Sequence, residues 1–95
     1  MVGRWRWDVA KDRVNRRKHG LDLATGVAVL ADPLALHLPD PHPDGDRWRA
    51  IGRPGAGLVL LFVIYAEAAE GRDGRIISVR RATATERRAY EQGDT

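Results

Sequence analysis

Arg47-Trp-Arg-Ala-Ile-Gly-Arg-Pro-Gly-Ala-Gly-Leu58-Val-Leu-Leu-Phe-Val-Ile-Tyr-Ala66 is the stretch on which the fold turns. Pro54 to Gly57 forms a turn signal, so Arg47 to Arg53 and Leu58 to Ala66 read as the two strands of a hairpin. The run from Leu58 to Tyr65 has no polar residue to offer to water. It therefore belongs at the centre of a sheet, covered on both faces. A polar turn, Glu67 to Gly74, follows, and Arg75 to Arg81 reads as the last strand. Strict alternation puts Ile77 and Val79 on one of its faces and Ser78 and Arg80 on the other, with Arg75 of opposite parity to Ser78 and Arg80. Thr83-Ala-Thr-Glu86 then fits a capping box, which opens a terminal helix.

Upstream, Gly3 to Trp7 alternates Arg4 and Arg6 with Trp5 and Trp7, the period of a half-buried strand with both tryptophans in the core. Asp8 is placed to cap a helix over Val9 to Lys18, closed by Gly20. Asp22 is placed to cap a second helix over Leu23 to Leu30, ended by Asp32-Pro33. Leu34 to Leu38 has the length of a short strand, ahead of a loop set by Pro39, Pro41 and Pro43. The expected order is strand, helix, helix, strand, strand, strand, helix. This is an α+β domain with a small antiparallel sheet and helices gathered on one face, a single domain over residues 1–95.

Composition agrees with one folded domain: 95 residues, 43% hydrophobic and 31% charged, with no cysteine. Disulfides, thiolate catalysis and Cys-based zinc sites are excluded. The longest apolar run is far short of the ~20 residues that cross a bilayer. With no apolar core to its first residues, the chain is expected in the cytoplasm and off the membrane.

The net charge of +3 conceals a strong asymmetry. Residues 1–20 carry seven basic side chains against Asp8 and Asp12, and residues 21–46 carry five aspartates and no Lys or Arg. Nine arginines follow from Arg47 onward. If the basic ends meet, they make a surface suited to phosphate, which the planar guanidinium fork binds bidentately. His37, His42, Asp40 and Asp44 are scattered through a Pro-rich loop and read as solvated, so no metal or other cofactor is expected.

Trp5-Arg-Trp-Asp8, Lys11, Asn15, Lys18-His-Gly20, Asp46-Arg47, Ile51-Gly52, Arg75-Ile-Ile-Ser-Val-Arg80, Ala82, Glu86 and Tyr90 together resemble the BrnT family of toxins. The resemblance implies a RelE-like fold and a ribonuclease toxin of a type II toxin–antitoxin system, which arrests translation by cleaving RNA. It further implies a BrnA-like ribbon-helix-helix antitoxin, two toxins on one antitoxin dimer, and DNA binding only through that antitoxin. Asp46, where the family often has Glu, is left out of the catalytic set.

Metal-independent RNA cleavage needs a base for the 2′-hydroxyl, a donor for the leaving 5′-oxygen and cations for the charged phosphorus centre. Arg47 and Arg80, expected on neighbouring strands, are the candidate cations. His19 is the candidate acid or base, and Lys18 beside it could bind or protonate. Glu86 is a candidate base or a partner that orients an arginine. Lys11, Arg75, Ser78 and Tyr90 are candidate RNA contacts. Each has a structural alternative: Lys18-His19-Gly20 is also a good helix C-terminus, Glu86 is explained by its capping box, and Tyr90 suits a core edge. Asn15 suits a bridge within the helix hairpin. A non-catalytic basic module that holds nucleic acid by its phosphates is the competing function, and an interaction subunit using Asp40 to Asp46 a third.

Overall fold

In the computed structural model, which describes residues 4–43 and 45–93, the apolar run supplies the middle of a five-stranded sheet. The elements are β1 (Trp5–Arg6), α1 (Val9–His19), α2 (Thr25–Leu30), β2 (Leu36–Pro39), β3 (Arg47–Gly52), β4 (Leu61–Ala66), β5 (Gly74–Arg81) and α3 (Ala84–Glu91). The sheet order is β1-β5-β4-β3-β2. β2 to β5 pair antiparallel in a meander, while β1 runs parallel to β5. The sheet is thus mixed, with one strand more than the expected order.

Alternation along β4 builds two apolar layers. Leu61 and Val63 join Ala50, Ile76 and Val79 beneath Leu23 and Val29. Phe62 joins Ile51 and Leu60 beneath Tyr90 of α3, with Ile64 and Ala82 packed alongside. Helices therefore cover both faces, not one, because the central strand is apolar on both and each side needs a lid. Full burial of a side chain such as Leu23 or Val29 contributes about 1.5–3 kcal/mol.

Several boundaries move for local reasons. Asp22 accepts hydrogen bonds from the Thr25 amide and hydroxyl, forming a turn that delays α2 to Thr25. Leu58 and Val59 stay in the turn, 79% and 49% exposed, and β4 begins at Leu61. The N-terminal strand shrinks to two residues. Trp5 packs on the core, but Trp7 lies beyond the strand and is exposed. Gly3, at the start of the expected strand, and Asp44 of the loop lie outside the described residues. Asp8 caps α1 by accepting from Ala10 N–H, Gly20 closes it at φ 71°, and the capping box of Thr83 and Glu86 is formed as expected.

Candidate nucleic-acid interface

A single irregularity organises the basic residues. Tyr65 pairs with Ile76 but Ile64 pairs with Ser78, so Ile77 is an extra residue in β5, a β-bulge. The bulge shifts the alternation by one. Ile76 and Val79 are the buried residues, and Arg75, Ser78 and Arg80 come to lie on one face, opposite Ala66, Ile64 and Phe62. The opposite parity expected for Arg75 is corrected by this one insertion. Continuing across the sheet, Arg6, Arg75, Ala66 and Arg47 stand in one row, and Ser78, Ile64 and Arg49 in the next.

Arg47 and Arg75 are therefore level with each other on either side of Ala66, about 10 Å apart across two strand spacings. Neither guanidinium has a carboxylate partner among the described residues. The Arg47 Nε is buried with no hydrogen-bond acceptor among the described residues, an arrangement that costs free energy. Arg49, by contrast, is paired with Asp40 at 2.9 Å and Arg72 with Asp46 at 3.0 Å.

Arg80 sits elsewhere. It is opposite Phe62, four positions along β4 from Ala66, so it stands about 13 Å along and about 10 Å across from Arg47. β3 and β5 are not neighbours, because β4 pairs with both, and the expected adjacency of Arg47 and Arg80 fails for that reason. The meander order of three successive antiparallel strands was the signal that could have revealed it. Arg80 also lies 4.0 Å over the Phe62 ring and grips both Glu86 oxygens, at 2.8 and 2.9 Å. That hydrogen-bonded carboxylate raises the Arg80 pKa. Burial pushes Glu86 up, but the Arg80 fork and the Thr83 amide outweigh it and hold the carboxyl below its ordinary value. The pair ties α3 to β5 and leaves Glu86 a weak base.

α1 lies along the edge of β5 that the short β1 leaves uncovered. Asn15 Nδ2 donates to the carbonyls of Val79 and Leu21, both at 2.8 Å, and Asn15 Oδ1 accepts from Val79 N–H at 3.2 Å. Its carboxamide takes the place of a strand on β5, a role the sequence hinted at only as a bridge within the helix hairpin. This fastening brings Lys11, Lys18 and His19 against Ile77 and Ser78 around a cavity of about 220 Å³. Four of the expected site residues thus meet in one place.

Tyr90 does not join them. It is 8% exposed, its hydroxyl donates to Asp32 at 2.8 Å, and burial together with that carboxylate pushes its phenol up. The side chain belongs to the layer under α3. His37 bonds Tyr65 through Nδ1 at 2.8 Å on the face opposite the arginines. Among the described residues no three His, Asp or Glu side chains converge as metal ligands would.

The assembly is a basic α+β domain with a cation-lined sheet face and a Lys- and His-lined recess beside it, the equipment of a protein that handles RNA. Residues 7–86 match the family model of BrnT, the ribonuclease toxin of type II toxin–antitoxin systems, and the chain belongs to that family. As such it is a ribonuclease toxin, with RNA as its substrate and an antitoxin as its partner. Comparison with curated proteins gives no match. No helix among the described residues is long and apolar enough to cross a membrane.

Proposed function

We propose that this toxin cleaves RNA by intramolecular transesterification, without a metal, in the recess between α1 and β5. The observation that carries the reading is the bulge at Ile77, which brings Arg75 onto the face that already holds Ser78 of the recess and Arg47. His19 takes the proton of the ribose 2′-hydroxyl as its oxygen attacks the adjacent phosphorus. The 5′-oxygen leaves with a proton from Lys18, giving a 2′,3′-cyclic phosphate and a 5′-hydroxyl. Ser78 and Lys11 hold the scissile phosphate, and Arg47 and Arg75 balance the negative charge of the strand. Arg80 and Glu86 act as the strut that fixes α3. Tyr90 supports them from the core.

By resemblance, cleavage takes place in the cytoplasm and arrests translation. A BrnA-like ribbon-helix-helix antitoxin silences the toxin in a complex of two toxins and two antitoxins, and only that complex engages operator DNA. The RelE-like relationship is part of the same reading and is supported by the central meander with helices on both sides.

Primer extension on an mRNA in a translating extract tests the proposal. New 5′ ends are expected with the wild type and at least tenfold fewer with His19→Ala or Arg75→Ala, with unchanged melting temperatures. Undiminished cleavage by folded His19→Ala would remove His19 from the reaction. Phosphate affinity without cleavage by the wild type would favour the binding-module reading.

A further inference from the structure

A second cavity is walled in part by Arg75 of β5, three residues before Ser78 of the first. It measures about 340 Å³ and is lined by Arg6, Gly71, Arg72, Asp73 and Arg75. Two of its guanidiniums are held by carboxylates from the side: Arg6 Nε donates to Asp73 at 2.8 Å, and Arg72 donates to Asp46 at 3.0 Å. The third, Arg75, has no carboxylate partner among the described residues. Three cations against these two carboxylates leave the cavity positive, and the two pairs fix guanidiniums that still have free N–H groups.

The register sets the spacing between the cavities. Arg75 lies opposite Ala66 and Ser78 opposite Ile64, on the same face, so the two stand about 7 Å apart along the sheet. That is comparable to one repeat of a single nucleic-acid strand, in which each nucleotide adds one phosphate.

Resting on the proposed recess between α1 and β5, we infer that the cavity walled by Arg6, Arg72 and Arg75 is a second phosphate subsite for the RNA. It takes the internucleotide phosphate next to the one being cleaved. The substrate is thus held at two successive phosphates, and the contact carries no base information, as backbone contacts do not.

The test measures binding of uncleavable 2′-O-methyl oligouridylates of two, four and eight nucleotides by fluorescence anisotropy at several salt concentrations. The dinucleotide has a single phosphate and cannot fill both cavities. Wild-type affinity is expected to rise between the dinucleotide and the tetranucleotide. In the full chain carrying Arg6→Ala and Arg72→Ala the dinucleotide should bind as before, while the longer chains lose roughly three- to tenfold. The salt dependence of the longer chains should become shallower by about 0.7 in log–log slope, the value for one phosphate on a single strand. An equal charge change at Arg13 and Arg17, which line neither cavity, should leave the length increment intact. Equal loss at all lengths, or as large a loss in the Arg13 and Arg17 control, would overturn the subsite. If wild-type affinity for every length were absent, the RNA reading of this face would fall, and the subsite with it.

Discussion

Replacing Asn15 by alanine should be among the most damaging single polar substitutions in this chain. Asn15 is 6% exposed and makes three hydrogen bonds, two at 2.8 Å and one at 3.2 Å, all to backbone groups of Val79 and Leu21. Each net bond is worth about 1 kcal/mol, and the Val79 groups left behind lie beside a fully buried residue where water has little access. The loss is about 3 kcal/mol. For a domain of this size each kcal/mol moves the melting temperature by about 4–8 °C, so the variant should melt roughly 12–24 °C lower. Arg16→Ala gives the contrast. It removes an i,i+4 pair in which the arginine is exposed and the Asp12 carboxylate is buried but keeps its bond from the Leu23 amide, so it should cost about 0.5–1 kcal/mol, or about 2–8 °C. Circular dichroism melts at 222 nm supply the measurement, and hydrogen exchange at the Val79 amide localises the effect. A fall of less than about 5 °C in Asn15→Ala, or unchanged protection at Val79, would refute the claim that the carboxamide stands in for a strand.

Two further outcomes follow from the packing and the ion pair. Because Glu86 titrates below its ordinary value of 4.5 in the folded chain, its stabilising effect is complete above that pH and is lost as the pH falls through the folded value. Urea melts should therefore find Glu86→Gln less stable than wild type at pH 7, with the gap closing below pH 4.5; a gap independent of pH would contradict the pairing. A Cβ added at Gly74 would overlap the Trp5 ring, so Gly74→Ala must expel that ring and loosen β1 from β5, at about 1–3 kcal/mol. Near-ultraviolet circular dichroism should lose tryptophan intensity in this variant, whereas an unchanged spectrum would show that the close approach is relaxed at no cost.

What the sequence disclosed was whatever depends on neighbours in the chain. The Asp8 cap, the Gly20 stop, the capping box at Thr83 and Glu86, and the central position of Leu61 to Ala66 are each written within a few residues. What it concealed depends on partners far away. Nothing in Arg75-Ile-Ile-Ser-Val79 marks Ile77 as surplus, since the bulge exists only relative to β4. The parallel docking of β1 on Gly74 and Arg75 joins segments about 70 residues apart. Arg47 and Arg80 look equivalent as arginines on strands, and only the sheet order separates them. The meeting of Lys11, Lys18, His19 and Ser78 needed the fastening by Asn15, whose partner is 64 residues away.

A strand is a two-beat rhythm, and Ile77 inserts one syncopated beat. Before it, odd-numbered residues of β5 face the arginine side; after it, even-numbered ones do. Removing one of the two isoleucine codons would straighten the ladder and keep Arg75, Ser78 and Arg80 on one face, because the surplus beat is the one that β4 leaves unpaired. Gain of a codon would leave composition, charge and hydropathy almost untouched, yet it would put either Arg75 or the Ser78–Arg80 pair out of step and turn it toward the layer of Leu61 and Val63. The segment should therefore tolerate shortening at Ile76–Ile77 far better than lengthening.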